Sequence, residues 1–484
     1  MAGYIIKRIL LMIPTFFVIS LLVFVVLNFA PGNPGADILG AGDGGQSANL
    51  AGQQNESYRL FKQQFNLDKP ILLNTRFNLS VADVTAVAEN DVNLAGDVSP
   101  GDRIDAQEQI DNWGKYAIPA LVDILQNHPE RRVRSYAALR LASGGQRPLL
   151  NQYSGKRLTP EEKVINNALY AENNTIRQWT FGPSDSEAKE LDVRGKWVEW
   201  FETNHDRWDY SSTGTKVSIL LFDTRFAKYW QNLLKLDFGV SHVDKRPVLA
   251  TVLSKLKYSI TLSFTSVILV YLLSVPLGIW SAVKQNSAAD RVVTVVLFMM
   301  YSLPSFFVGV FLLNLLTRGT PWQAFPTSGF ESLDVSQMTT LQYLGDVVWH
   351  IALPILCLSY AALAVLSRYA RTGLLDVIRA DYIRTARAKG LPESIVIMKH
   401  AARNGMIPII TLLATLLPTL IGGSVVVEVI FGIPGMGLFM FDSITIRDYN
   451  AVMAVLLISS SLTLVGMLLA DLAYVLVDPR ITFD

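Results

Sequence analysis

Cysteine and histidine are scarce in this chain, whose 484 residues include one cysteine and five histidines. No disulfide can form within the chain, and the scattered histidines cannot assemble a Cys/His metal cluster. The single thiol, Cys357, lies inside an apolar stretch, where a small packing role is the ordinary one. The sequence therefore predicts neither a metal centre nor a cofactor.

Charge is also sparse, at 17% of the residues against about 25% in an average soluble protein. The net charge is +1, which gives no case for a nucleic-acid surface. The sequence contains no GxxxxGKS or GxxxxGKT phosphate loop, no HExxH pair and no GxSxG turn. We therefore predict that the chain is not an enzyme and does not bind ATP in the usual way.

Apolar sequence is abundant, with 50% hydrophobic residues and a mean hydropathy of +0.31. A bilayer crossing needs roughly twenty predominantly apolar residues. Six stretches qualify, at residues 9–29, 258–283, 292–317, 349–366, 406–430 and 451–477. The first is too long for the apolar core of a signal peptide and is followed by a poor cleavage context at residues 31–34, so we interpret it as a retained helix.

The basic residues predict the orientation of these spans. Lys7 and Arg8 place the N-terminus in the cytoplasm, and six crossings then make the loop at residues 367–405 cytoplasmic as well. That loop carries eight basic residues (Arg368, Arg371, Arg379, Arg384, Arg387, Lys389, Lys399 and Arg403) against three acidic ones (Asp376, Asp381 and Glu393). The loop after the third span is acidic on balance. Both termini are thus predicted to be cytoplasmic, and the long region between the first two spans extracytoplasmic.

Part of that long region, residues 78–223, has the character of a small soluble helical domain. Residues 116–125 and 132–141 show the apolar spacing of two amphipathic helices, with a turn at His128-Pro129 between them. The pair resembles a HEAT-type repeat, and residues 197–201 add a third helical patch with large apolar side chains. We therefore divide the chain into residues 1–77, an insert at 78–223, and a core at 224–484.

The loop at 367–405 contains an ordered run from Asp381 to Glu393. Asp381 is expected to cap a short helix, Ala386 and Ala388 to leave a low surface for a partner's groove, and Gly390 to end the helix in a left-handed conformation. Pro392 prevents the helix from continuing. Basic charge alone is ordinary in a cytoplasmic loop, so the order and spacing of these residues is the discriminating feature.

This run closely resembles the coupling segment, or EAA loop, of ABC-type importer permeases, and in particular of the oligopeptide/dipeptide/nickel branch. Further matches of that kind are Ser302-Leu303-Pro304-Ser305-Phe306, His400 to Pro408, Arg447-Asp448-Tyr449 and Asp478-Pro479-Arg480. The broad consensus begins with Glu-Ala-Ala, whereas Arg384, Thr385 and Ala386 stand here, so a role for the consensus glutamate does not transfer.

The resemblance implies an all-α membrane protein with the six-helix type I importer permease fold, located in the bacterial inner membrane. It implies these partners: a second homologous permease, cytoplasmic ABC ATPase subunits, an extracytoplasmic solute-binding protein and the lipid bilayer. The residues implied in coupling to the ATPase are Asp381, Tyr382, Arg384, Thr385, Ala386, Arg387, Ala388, Lys389 and Gly390.

Near the outer end of the fifth span stands an acidic residue, Glu428, followed by an irregular Gly/Pro segment. A carboxylate near hydrocarbon is costly and is a functional hypothesis by default, although a wetted interfacial position is the plain alternative. The family is similar in having a glutamate and a PGxG turn here, which implies an outer gate. The gate and pathway candidates are Glu428, Phe431, Pro434, Gly435 and Gly437. Asp471, near the cytoplasmic end of the last span, is interpreted as a solvated interfacial carboxylate.

The function implied is that of a permease subunit forming half of the path for oligopeptides or dipeptides in an ATP-driven importer. Nickel or a sugar is the alternative cargo. A different class of function also stays open, in which the chain is a membrane-anchored interaction protein that works through its helical insert. The insert itself either contacts the binding protein or the partner permease, or is a peripheral addition.

Overall fold

The computed structural model of the protein describes residues 2–29, 62–63, 66–150, 158–241, 243–244, 246–317, 319, 322, 324–406, 409, 412 and 424–477. This part of the chain is helical. Its β-structure consists of two isolated bridges, Val240 with Pro247 and Thr317 with Phe325, and no sheet is found among the described residues.

The chain divides into two compact units. The span unit contains Met1–Leu27 and Val240–Asp484, and the inserted unit contains Asn28–Gly239. The insert predicted at residues 78–223 lies wholly within the inserted unit, which also takes in the segments on either side of it.

The span unit begins with α1 (Ala2–Phe29) and resumes with α10 (Val248–Val283), α11 (Ala288–Ser302), α12 (Ser305–Leu316) and α13 (Thr340–Ile378). The cytoplasmic loop of the prediction holds α14 (Asp381–Ala388), α15 (Glu393–Ile395), a π-helical turn (Val396–Ala401) and α16 (Ala402–Gly405). From residue 424 onward the described residues form α17 (Val425–Ile430), α18 (Met436–Thr445) and α19 (Tyr449–Val477).

Four of these helices are long and apolar enough to cross a bilayer within the described residues, over Ile5–Phe29, Val248–Val283, Thr340–Ile378 and Tyr449–Leu472. They confirm four of the six predicted spans. The predicted fifth span, 406–430, falls largely outside the described residues, and its last turns form α17.

The apolar stretch predicted as the third span, 292–317, is divided between two helices. The structure has two helices, α11 and α12, that meet at an angle of 100°. Leu303 between them is extended, with φ −85° and ψ 132°. Pro304 stands at the break as the N-cap of α12; it lacks an N–H and disfavours the helical conformation at the residue before it. If the bent pair is one span, the described residues hold five.

The helices α10 and α13 cross in close contact at Gly278. A Cβ there would lie 2.3 Å from Cβ of Ala370 and 2.7 Å from the carbonyl oxygen of Ser367. Farther along, the hydroxyls of Ser266 and Ser359 are hydrogen-bonded at 2.9 Å. Small residues that let two backbones approach, joined by hydroxyl contacts, are typical of helix pairs in membranes.

The inserted unit contains α2 (Val81–Asp91), α3 (Pro100–Trp113), α4 (Ile118–Asn127), α5 (Arg131–Gly144), α6 (Pro160–Arg177), α7 (Glu187–Asn204), α8 (Thr213–Phe222) and α9 (Arg225–Leu233). Short 3₁₀ turns accompany them at Arg76–Asn78, Gly114–Ala117 and His205–Trp208. The helices α4 and α5 confirm the predicted pair on either side of His128-Pro129.

One apolar core holds the inserted unit together. The inner faces of α4 and α5 pack against Trp197 of α7, whose side chain is fully buried. The Trp197 ring meets those of Trp179 and Trp200 edge-on at 5.2 Å each, and its indole N–H donates to the carbonyl of Trp179 at 2.9 Å. The aromatic patch predicted at 197–201 therefore belongs to the core. The HEAT label for this unit stays a prediction.

The two ends of the inserted unit lie side by side. The backbone N–H of Asn74 donates to Leu220 at 3.0 Å, and that of Arg225 to Pro70 at 2.8 Å. The Asp223 carboxylate accepts from Lys69 at 2.6 Å and from the Tyr116 hydroxyl at 2.6 Å. The segment that enters the helical core and the segment that leaves it are thus joined at a neck.

Candidate functional site

The predicted coupling segment forms its own short helix, α14, after a break at Arg379-Ala380. Ala380 is the N-cap residue, with extended backbone, and Asp381 is already the first helical residue. The prediction that Asp381 caps the helix is therefore wrong, because the helix begins one residue earlier than expected. The Asp381 carboxylate instead accepts from Arg384 at 3.3 Å, one turn along the exposed surface.

The end of α14 is formed as predicted. Gly390 has φ +75°, and its N–H donates to the carbonyl of Arg387 at 2.9 Å. A Cβ at Gly390 would meet no atom within 4 Å, so the left-handed backbone, and not crowding, is what favours glycine here. Pro392 then begins the next helix, α15, as its N-cap.

The helix α14 has an inner and an outer face. Ile383 is fully buried and Ala386 is 8% exposed, and both pack in a core with Ala282 at the end of α10 and Leu374 near the end of α13. The expectation that Ala386 lies in a partner's groove is wrong, because Ala386 stands one turn after Ile383 and shares its inward face. The outer face exposes Tyr382, Arg384, Thr385, Arg387, Ala388 and Lys389.

Two contacts fasten α14 to the segment that follows it. Arg387 donates to the Glu393 carboxylate through Nε at 3.0 Å and through Nη2 at 2.7 Å. This hydrogen bonding lowers the pKa of the Glu393 carboxyl below its ordinary value. The Tyr382 hydroxyl accepts from Asn404 of α16 at 2.9 Å. The helix is therefore tied to α15 and α16 in addition to its packing on the ends of α10 and α13.

A second ionic contact in this region escaped the sequence analysis. Asp290 of α11 is buried and accepts two hydrogen bonds from Arg371 of α13, at 3.2 and 2.9 Å. It also accepts from the Ser281 hydroxyl at the end of α10 and from the backbone N–H of Asn286 at 3.1 Å. Three helices are thus joined by one carboxylate. The signal was present as Ser287-x-x-Asp290, a helix start ahead of an apolar run.

The gate candidates come together around the Glu428 carboxylate, which is 1% exposed. One oxygen accepts from the Ser259 hydroxyl of α10 at 2.8 Å. The other accepts from the backbone N–H of Gly437 at 2.6 Å and of Leu438 at 3.1 Å. These N–H groups belong to the first turn of α18, which lacks a side-chain cap of its own, so Glu428 serves as that cap. The wetted interfacial alternative does not describe this group.

Glycine is required at two of the gate positions because the backbone comes close to this carboxylate. A Cβ at Gly435 would lie 2.4 Å from a Glu428 oxygen, and one at Gly437 would lie 2.7 Å from the Cα of Val425. Phe431 is buried, and its carbonyl accepts from the N–H of Gly329 at 2.9 Å. Pro434 is half-buried in the turn between α17 and α18. All five predicted gate residues therefore lie in one folded corner.

The last helix is paired with the first. The carboxylate of Asp471 in α19 accepts from Nε of Arg8 in α1 at 2.6 Å. The interpretation of Asp471 as a solvated carboxylate is corrected by this ion pair, which a sequence cannot reveal because the two residues are separated by almost the whole chain. The start of α1 and the end of α19 lie at the same end of the span unit.

These clusters hold and position helices. The carboxylates of Glu428 and Asp290 are occupied by donors from the protein itself. Within the described residues, no group of three or more His, Cys, Asp or Glu side chains could hold a metal ion. The arrangement supports mechanical linkage between helices.

Comparison with known proteins places the span unit in a defined group. Residues 274–483 match the family model of the binding-protein-dependent transport system inner membrane component. The chain is 40% identical over 260 residues to the oligopeptide transport system permease protein AppB of Bacillus subtilis, a match that covers 54% of this chain and 80% of that protein.

Two further relatives show the same coverage of this chain. One is the peptidoglycan transport system permease protein YejB of Agrobacterium fabrum, 35% identical over 262 residues, and the match covers 72% of that protein. The other is the glutathione transport system permease protein GsiC of Shigella flexneri, 34% identical over 259 residues, and the match covers 79% of that protein. Among solved structures, the inward-facing MetNI methionine ABC transporter matches with a TM-score of 0.35 and 15% identity, over 47% of this chain and 98% of that one.

Proposed function

This chain belongs to the family of binding-protein-dependent transport system inner membrane components, and we propose that it carries peptides inward as one of two permease subunits of an ATP-driven importer. Its relatives are named for oligopeptide, peptidoglycan and glutathione transport, which favours peptides over nickel or a sugar. Selection among peptides is assigned to the solute-binding protein, since the described residues present no polar site for a peptide.

The observation that carries the proposal is the two-faced packing of α14. Its inner face, with Ile383 and Ala386, is packed against the ends of α10 and α13. Its outer face is basic and exposed. A force applied to that outer face is transmitted to two spans at once, because the inner face shares a core with both. Arg387 and Tyr382 tie the helix to the segment that follows it. The outer face therefore contacts the ATPase, and Ala386 acts from inside as an anchor.

The corner around Glu428 is proposed as the element that holds the outer end of the path closed. Its carboxylate ties α18 to α10 and to α17. Since α10 also touches α14 through Ala282, movement at the cytoplasmic end reaches the same helix that Glu428 holds at the other end. Glu428, Gly435 and Gly437 thus act in gating by position, without contacting the peptide.

The six-span type I arrangement, with cytoplasmic termini and an extracytoplasmic insert, is proposed on two grounds. The basic loop at 367–405 follows the positive-inside rule. The Arg8–Asp471 pair brings the first and last helices together at one end, as an even number of crossings requires. In a variant without Cys357, a cysteine at Asp206 should react with a membrane-impermeant reagent in cells with a permeable outer membrane, and one at Asp376 should not. The reverse pattern would exclude this topology.

The proposal as a whole is tested by reconstituting the chain with its partner subunits in vesicles. Labelled oligopeptides should accumulate only with ATP and with the binding protein, whereas nickel and sugars should not. The rival function, a membrane-anchored interaction protein that works through the inserted unit, requires no ATPase. Purification of the tagged chain without any ABC ATPase subunit would favour that rival.

A further inference from the structure

The helices α11 and α13 enclose a cleft that none of the roles above uses. Its volume is about 350 Å³. One wall is formed by Leu297, Phe298 and Tyr301, and the other by Val365, Arg368 and Tyr369. The lining is apolar and aromatic except for one guanidinium group and a few hydroxyls, and it includes no acidic residue. The cleft is therefore both apolar and positively charged.

Arg368 differs from its neighbour Arg371, although both stand on α13. The Arg371 guanidinium is neutralised by the buried Asp290 carboxylate at 2.9 Å. The Arg368 guanidinium lies over the Phe298 ring, 4.3 Å from its centre, and has no carboxylate partner in the described part of the chain. A cation left on an aromatic ring at a cleft favours an anionic ligand.

The position of Arg368 along α13 suggests where that anion resides. It stands two residues after the apolar stretch at 349–366, which is about 3 Å along the helix. The positive-inside orientation puts this end of the stretch at the cytoplasmic leaflet, at the depth of lipid headgroups. Long basic side chains at helix ends extend toward that layer.

The surroundings of the cleft favour an acyl chain over a peptide as the apolar part of the ligand. Beside the cleft, α11 exposes Val292, Val295 and Met299, which are 62%, 51% and 63% exposed. Apolar side chains exposed in this way are suited to lipid. A peptide in a cleft would need partners for its own backbone N–H and C=O groups, and few such groups line this one.

We propose that this cleft binds an anionic phospholipid of the cytoplasmic leaflet. Its phosphate pairs with the Arg368 guanidinium, and an acyl chain lies against Leu297, Tyr301 and Val365. Basic pockets between membrane helices on the cytoplasmic side recognise anionic headgroups in this way. The lipid bridges α11 and α13 next to the Asp290–Arg371 contact. Its binding does not depend on which cargo the chain transports.

The test uses the full chain with its partner subunits in neutral detergent, where no charged bilayer surface attracts basic residues. Native mass spectrometry should follow binding of phosphatidylglycerol and of phosphatidylcholine with the same acyl chains. Arg368→Gln should weaken phosphatidylglycerol binding roughly tenfold or more, because it removes a charge-assisted hydrogen bond to the phosphate. It should leave phosphatidylcholine binding unchanged, and Arg368→Lys should restore most of the loss.

Two further variants make the test specific. Arg291→Gln removes an equal charge from an exposed position on α11, outside the lining of the cleft, and should change the binding of neither lipid. Val365→Trp fills the cleft but keeps the charge of Arg368, and it should weaken the binding of both lipids. Equal phosphatidylglycerol binding by the native chain and Arg368→Gln would overturn the proposal. If that equality came with an altered KM for peptide uptake, the cleft would belong to the cargo path.

Discussion

Glu428 is a carboxylate with almost no contact with water, and its two oxygens accept from Ser259, Gly437 and Leu438. Burying a charge is costly unless hydrogen bonds compensate for the lost water. Here three donors from two different helices provide that compensation. The same three bonds make the residue a link between α10 and α18, so its removal affects more than one helix.

Glu428→Ala should lower the free energy of unfolding by about 1–3 kcal/mol, because two buried N–H groups at the start of α18 lose their acceptor. It should also raise ATP hydrolysis in the absence of binding protein, since the outer corner is no longer held closed. Thermal unfolding and basal ATPase rates of the reconstituted complex measure the two effects. Asp442→Ala removes an exposed carboxylate from α18, the helix that Glu428 caps, and is the control. Native stability and native basal rates in Glu428→Ala would contradict the assigned role.

Asp223 is the corresponding residue of the inserted unit, at the neck. Burial by itself raises the pKa of its carboxyl, but the charge and hydrogen bond of Lys69, with Tyr116 and Lys115, bring that pKa below the ordinary value. Because the folded pKa lies below the unfolded one, Asp223 stabilises the folded state above about pH 4. That contribution is lost as the pH falls below this value.

Thermal unfolding of the full chain, followed by tryptophan fluorescence from pH 6 to pH 3, should therefore show a smaller acid-induced loss of stability in Asp223→Asn than in the native chain. The variant should be less stable than the native chain at pH 6, and the difference should shrink toward pH 3. Asp206→Asn changes a carboxylate that is 92% exposed and should behave like the native chain. Parallel curves for the native chain and Asp223→Asn would show that the neck carboxylate does not contribute in this way.

The helix α14 shows at the scale of one element what local sequence can and cannot predict. Its existence, its end at Gly390 and the stop at Pro392 follow from capping rules that act within a few residues, and they were predicted. Which face is buried depends on packing against Leu374 of the preceding helix and against Ala282, which is distant in the chain, and so the direction of Ala386 was predicted wrongly. The predicted N-cap was one residue too late for a local reason. Ala380, which has no capping side chain, takes the extended conformation of an N-cap residue.

Two alanines of α14 provide a matched pair of substitutions. Ala386→Trp should destabilise the chain itself by about 1–3 kcal/mol or more, because the added ring has no space in a packed core. Ala388→Trp should leave the chain stable and reduce the ATP hydrolysis stimulated by binding protein, because position 388 is on the exposed face. Thermal unfolding of the chain alone and stimulated ATPase of the complex distinguish the two. Full stimulation in Ala388→Trp would remove this residue from the coupling surface.

Among the spans, prediction succeeded where apolar runs are unbroken, as for α1, α10, α13 and α19. It did not reveal the bend at Pro304, because a hydropathy pattern reports the length of an apolar stretch and not its straightness. The Asp290–Arg371 contact was missed for a related reason. Arg371 was counted as one of several loop cations, and only the packing of α11 on α13 reveals its partner.

At the scale of the whole molecule, the question is what the insert contributes. The backbone bonds from Arg225 to Pro70 and from Phe226 to Ile71 lie outside residues 78–223 and remain if that segment is removed. Deleting residues 78–223 and joining Phe77 to Thr224 should therefore leave the span unit folded, as judged by size-exclusion chromatography and thermal unfolding. Loss of the folded span unit would show that the two units depend on each other.

The same deletion separates the two proposals for the insert. If the insert contacts the binding protein, the deletion should weaken the affinity of the reconstituted complex for that protein, measured by surface binding at fixed salt. Equal affinity and equal uptake rates with and without the insert would favour a peripheral addition that surface loops tolerate at little entropic cost.

The central claim is that the exposed face of α14 is the point where this membrane chain meets an ATPase. A photo-crosslinking amino acid placed at Ala388 in the functional complex tests it most directly, with the same substitution at Asp206 in the inserted unit as the control. Position 388 should give a covalent product with an ABC ATPase subunit, and position 206 should not. A complex that still transports peptide but gives no ATPase product from position 388 would contradict the account.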